Sequence, residues 1–140
     1  MAATSVMRRY RFSAAHRLHS DRFSEEENWR LFGKCHNPNG HGHNYVLFVT
    51  VAGEPDRETG MVLDVAALDR VVIDTVVQRF DHRDLNQDPE FSSRTTTGEN
   101  MVLLVWDLLV KQVPAGRLQK VGLIETRDNY FEYSGPSTRV

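Results

Sequence analysis

The stretch Cys35-His36-Asn37-Pro38-Asn39-Gly40-His41-Gly42-His43-Asn44-Tyr45, running directly into Val46-Leu47-Phe48-Val49-Thr50-Val51-Ala52, decides how the chain is read. Its second half, His43 to Ala52, is rich in Val, Phe, Tyr and Thr and predicts a strand. His41 and His43 stand two apart where that strand begins, so both imidazoles lie on one strand face. Gly40 and Gly42 permit unusual backbone angles and a close approach. Two co-facial histidines need a third ligand to make a metal site, and His16 can supply it if the strand before it pairs with this one. Three neutral imidazoles suit Zn²⁺ and leave one coordination position open, as catalytic rather than structural sites do. A pair of solvent-exposed loop histidines would give the same short motif. His19 and His36 are reserve ligand candidates.

Upstream, Val6 to Ala14 alternates, with Tyr10 and Phe12 on one face and Arg9 and Arg11 on the other, and predicts a strand that ends just before His16. Ser24-Glu25-Glu26-Glu27 forms a capping box for a short helix stopped by Gly33. Downstream, Gly53 to Gly60 is a turn and Met61 to Leu63 a short extended piece. Asp64 caps a helix to about Phe80, with Val65, Leu68, Val72, Val76 and Phe80 at helical spacing. Thr96-x-x-Glu99 reads as a capping box for a helix to about Val113, closed by Pro114 and Gly116. Lys120 to Thr126 and Tyr130 to Tyr133 are two more strands around the turn Arg127-Asp128-Asn129. Met1 to Ser5 and Ser134 to Val140 are expected to be loose ends. The order strand, strand, helix, helix, strand, strand is α+β, with an antiparallel sheet and both helices on one face. Its open edges invite pairing with another subunit.

At 140 residues the chain is expected to form one domain spanning 1–140. The net charge of −2 carries no basic run, which argues against a nucleic-acid partner. The single Cys35 excludes an intrachain disulfide scaffold. No segment approaches the length of a membrane span, and Met1 to Arg11 lacks a signal-peptide core, so a cytosolic protein is expected. Function must therefore come from a local site.

Phe12-Ser13-Ala14-Ala15-His16-Arg17-Leu18, then Gly33-Lys34-Cys35-x5-His41-Gly42-His43-Asn44-Tyr45, closely resembles the 6-pyruvoyl-tetrahydropterin synthase family. Phe80-Asp81-His82-x-x-Leu85, Thr97-x-Glu99-Asn100 and Ile124-Glu125-Thr126 follow in the family's order, so the resemblance covers Arg8 to Tyr133. It implies the tunnelling fold, in which trimers form a barrel and two trimers stack into a homohexamer with active sites between subunits. It implies a zinc-dependent lyase acting on 7,8-dihydroneopterin triphosphate with loss of triphosphate. The family's zinc ligands fall on His16, His41 and His43, and its catalytic residues on Cys35, Asp81 and His82. Its pterin-anchoring carboxylate falls on Glu125, with Thr97 and Glu99 nearby.

Zn²⁺ bound to the substrate's hydroxyls would acidify them, and Cys35 could act as base if a cation lowers its pKa. Asp81 could fix the tautomer of His82. Each has a plainer alternative. Free cysteines are commonly buried apolar groups, Asp81-His82 could be a helix-end cap, and Glu99 could serve its own helix N-terminus. Glu125 could point to solvent by simple alternation. Facing inward, it would match the paired N–H donors of an aminopyrimidine edge. Lys34, Arg17, Arg94 and Arg127 are available for the triphosphate. Relatives that make 6-carboxy-tetrahydropterin, on the queuosine route, typically show Cys-x3-His-Gly-His; here that position is Asn37, and the Cys lies two residues earlier. A related lyase with that product, or a non-catalytic pterin- or zinc-binding module, are the competing expectations. His36 stands where Asn is familiar in animal enzymes.

Overall fold

The computed structural model describes residues 3–137. Met1, Ala2 and the last three residues, expected as loose ends, lie outside that range. The sheet runs in the order β3-β1-β2-β4-β5. Its strands are β1 (Thr4–His16), β2 (His41–Gly53), β3 (Arg83–Asp84), β4 (Leu118–Thr126) and β5 (Asn129–Tyr133). The helices are α1 (Glu25–Phe32), α2 (Val65–Val72), α3 (Gln78–Phe80) and α4 (Gly98–Val110). β1 and β2 pair antiparallel without a slip from Thr4↔Gly53 to His16↔His41. β4 then pairs antiparallel with β2, and β5 with β4.

One sheet face carries the core. Tyr10, Phe12 and Ala14 of β1, Tyr45, Leu47, Val49 and Val51 of β2, and Val121 and Leu123 of β4 are buried. Against them pack Leu68, Val72, Val76 and Phe80 from the first long helix and Met101, Val105 and Leu109 from α4. The helix from Val65 to Phe80 is one rod in which α2 and α3 are joined by a π-turn, Ile73–Val77. Its buried residues recur strictly every four positions, which in a 3.6-residue helix drifts about 40° per step. The wider turn takes up part of that drift and keeps Val76 and Phe80 on the core side. Arg79 then grips Asp88 with two hydrogen bonds of 2.8 Å, fixing the chain that follows.

Several expectations are corrected. β1 reaches back to Thr4 and forward to His16, so Thr4 and Ser5 are strand and His16 is its last residue rather than lying beyond it. Ordinary antiparallel pairing carries both ends, since no breaker residue interrupts them. Met61 to Leu63 is irregular rather than extended, and α4 stops at Val110, short of Val113. A fifth, two-residue strand, β3, pairs parallel with β1 through Ala14↔Arg83 and Ala15↔Asp84. It is too short to leave a periodic signal. The capping box at Ser24 is formed in both halves.

Leu47 is fully buried at the middle of the central strand. Leu47→Ala is expected to cost about 2–5 kcal/mol, read as a lower urea midpoint with an unchanged slope.

Candidate functional site

The alternation that builds the core also builds the site. Tyr10, Phe12 and Ala14 are followed on the same face by His16, while Leu47 and Tyr45 are preceded on theirs by His43 and His41. The register sets His16 opposite His41 and Ala14 opposite His43. On β4, Val121 and Leu123 are followed by Glu125. At one end of the sheet, the apolar rows of three neighbouring strands thus give way to three imidazoles and a carboxylate. A Cβ on Gly40 would lie 3.2 Å from the His16 carbonyl oxygen, and its φ is +71°, so the turn entering β2 needs glycine there.

His16 is 2% exposed. Its Nδ1 donates to the Thr96 carbonyl at 2.8 Å, which leaves Nε2 bearing a lone pair. The Nε2 atoms of His41 and His43 each lie 3.1 Å from it. Both Glu125 oxygens approach the cluster, one 3.9 Å from His16 Nε2 and the other 3.9 Å from His43 Nε2. Burial, first of all, pushes the His16 imidazole below its ordinary pKa against the opposing pull of Thr96 and Glu125, and burial lowers His43 as well. Both effects favour the neutral, ligating form. Burial of Tyr45 raises its phenol, whose hydroxyl, like His41 Nδ1, is buried with no hydrogen-bond partner among the described residues.

Nitrogen lone pairs gathered 3.1 Å apart repel unless a proton or a cation lies among them. Their spacing is close to the ~3.3 Å edge of a tetrahedron with metal–nitrogen bonds of about 2.0–2.1 Å. The donor set therefore fits a metal ion of the zinc type.

Thr97, not Thr96, caps α4, its hydroxyl accepting from Asn100 N at 3.3 Å. The capping box expected from Thr96 and Glu99 is not formed. Thr96 is instead fully buried and gives its carbonyl to His16. The run Thr95-Thr96-Thr97 offers three caps in a row, so sequence could not choose the register, nor single out Thr96 as the partner of His16. Glu99, one residue into α4, is exposed and makes no hydrogen bond or ion pair among the described residues. A cleft of about 750 Å³ opens beside His16, lined in part by Arg17, His19, Arg22, Arg94 and Asn100.

Asp81 and His82 are held elsewhere, at the β3 edge of the sheet. Asp81 Oδ1 accepts from the Ser13 amide at 2.9 Å, and His82 N donates to the Ser13 carbonyl at 2.6 Å. These bonds hold His82 at a φ of +59°, uncommon for a residue with a Cβ. The ring Nδ1 lies 2.9 Å from Asp81 Oδ1, and the His82 side chain is 82% exposed. Cys35 sits half-buried in the 3₁₀ turn Gly33–His36 after α1. No hydrogen bond joins it to Asp81 or His82 among the described residues.

The model of the 6-pyruvoyl tetrahydropterin synthase family matches residues 5–136. The chain is 50% identical to the 6-pyruvoyl tetrahydrobiopterin synthase of Pongo abelii over 131 residues, 93% of this chain and 90% of that protein. It is 49% identical to the enzyme of that name from Homo sapiens, with the same coverage. The solved structure of Caenorhabditis elegans 6-pyruvoyl tetrahydropterin synthase superposes with a TM-score of 0.93 at 41% identity, covering 97% of this chain and 98% of that one.

The Ser13 amide, first of all, holds the Asp81 carboxyl below the ordinary carboxylate range. A folded value below the unfolded one, about 3.9, stabilises the fold above that pH and ceases to do so as pH falls through the folded value. Asp81→Ala is therefore expected to lower the urea midpoint at pH 7, with the gap from the parent closing below about pH 4.

Proposed function

Because the chain belongs to the 6-pyruvoyl tetrahydropterin synthase family, we propose that it is the lyase that converts 7,8-dihydroneopterin triphosphate to 6-pyruvoyl-tetrahydropterin with loss of triphosphate. The observation that carries this is the convergence of three imidazole Nε2 atoms beside the Glu125 carboxylate, next to an open cleft. His16, His41 and His43 would hold Zn²⁺, which supplies Lewis acidity toward the hydroxyl oxygens of the substrate side chain.

The chain's own groups account for the rest. Glu125, or the unpartnered carboxylate of Glu99 beside Thr97, accepts the paired N–H donors of the aminopyrimidine edge and orients the ring. The cleft cations Arg17, Arg22 and Arg94 suit the triphosphate. Cys35 takes a proton from a side-chain carbon. Asp81 accepts from His82 Nδ1, which leaves Nε2 free to receive and return a proton. Since His82 is exposed at a sheet edge and has no hydrogen bond to Cys35 among the described residues, Asp81 and His82 serve the site of a neighbouring subunit. A cytosolic homohexamer completes the proposal. No helix among the described residues is long and apolar enough to cross a membrane.

Incubation of the zinc-loaded protein with 7,8-dihydroneopterin triphosphate is expected to release triphosphate and retain a three-carbon pyruvoyl side chain. A 6-carboxy pterin with acetaldehyde would instead assign the other product. His16→Ala is expected to lose bound zinc, and Cys35→Ala to keep zinc while losing at least about 100-fold in turnover. Mixing and reassembling inactive Cys35→Ala with inactive His82→Ala chains should restore part of the activity. No recovery would return both residues to one subunit.

A further inference from the structure

A second nitrogen-rich cluster lies outside these residues. His36 is fully buried although it follows the half-buried Cys35. Its Nδ1 donates to the Leu18 carbonyl at 3.0 Å, so one proton resides there and Nε2 is the nitrogen that can ligate once it holds none. Facing Nε2, at 3.0 and 2.9 Å, are the two oxygens of Glu25. His19 stacks on His36, with centroids 5.1 Å apart and planes 13° from parallel. Its Nε2 lies 2.7 Å from the Asp21 carboxylate, which only accepts, so His19 carries its proton on Nε2. Its Nδ1 is left as a buried lone pair with no partner among the described residues.

Both imidazoles therefore have one nitrogen committed to an outer oxygen acceptor; the other has no partner in His19 and faces Glu25 and Arg17 Nη2 in His36. That is the way outer carbonyls and carboxylates orient histidines that bind metal. A ligand atom from each of His19, Glu25 and His36 lies within 4.8 Å of the other two. We propose that His19, Glu25 and His36 form a second divalent-cation site, separate from the three-histidine cluster.

Two nitrogens and one carboxylate oxygen select an ion of the zinc, nickel or copper group over magnesium or calcium. The separations exceed those of a closed site, so binding draws the ligands together. Glu25, whose side chain is 64% exposed, and the half-buried His19 have the freedom to move. Arg17 is the competing cation. Its Nη2 lies 3.2 Å from His36 Nε2 and 3.8 Å from Glu25. The ion displaces that end of the guanidinium, while Arg17 Nε can keep its 3.0 Å bond to the His36 carbonyl. This competition makes the second site weaker than the first. Once occupied, it ties the segment before α1, the first turn of α1 and the turn bearing Cys35 into one unit.

The test is equilibrium dialysis of the full chain against buffered Zn²⁺, with metal counted per chain in the parent, His16→Ala, Glu25→Gln and His19→Tyr. The parent is expected to bind about two zinc ions per chain, the second more weakly, and each variant about one. Glu25→Gln and His19→Tyr should lose the weak ion and His16→Ala the tight one. Glu25 is exposed and its substitution leaves the core intact, so a lost ion there cannot be ascribed to unfolding. A parent that saturates at one ion lost in His16→Ala, or a stoichiometry unchanged in both Glu25→Gln and His19→Tyr, overturns the second site.

Discussion

The unslipped antiparallel pairing of β1 with β2 is the constraint on which the rest depends. A one-residue shift would turn His16 to the opposite face and exchange Tyr10, Phe12 and Ala14 for Arg9, Arg11 and Ser13 in the core. Such a slip would expose apolar surface and bury two guanidinium groups. The hydrophobic pattern that fixes the fold therefore also fixes which imidazoles meet, and no separate device is needed to bring His16 to His41.

The same economy explains how much could be read in advance. The rows of apolar residues on β1, β2 and β4 are visible in the sequence, and continuing them by two residues reaches His16, His43 and Glu125. The inward direction of Glu125, left open against simple solvent alternation, is decided by its phase with Val121 and Leu123. Features that hang on single contacts were not legible. The choice of Thr97 over Thr96 as cap depends on His16 claiming the Thr96 carbonyl across the fold. β3 has no pattern of its own and exists because Ser13 offers both an amide and a carbonyl to Asp81 and His82. The second histidine cluster could be suspected only as stray residues, because what joins His19 to His36 is ring stacking between segments whose path a sequence does not reveal.

The two ends of the proposed chemistry are supported differently. The three imidazoles stand on paired strands, their rings packed edge to face and one ring nitrogen pinned by a backbone carbonyl. Such support holds donor atoms in place before any ligand arrives. Asp81 and His82 rest on a sheet edge, held by backbone bonds to one residue, with the imidazole in solvent. A preorganised pocket in one part of the chain and a rigidly presented but exposed pair in another are what a site assembled between copies would require.

The π-turn in the helix from Val65 to Phe80 acquires a meaning beyond core packing. That turn holds one residue more than a regular helix would spend there. Winding the same residues as a regular α-helix would rotate everything after it by about 100° and push it on by about 1.5 Å. Phe80 would leave the core, and Asp81 and His82, which follow it directly, would miss Ser13. The surplus residue works as a phase setter: its wider winding times the helix so that the chain emerges with the Asp81–His82 pair aimed at the sheet edge.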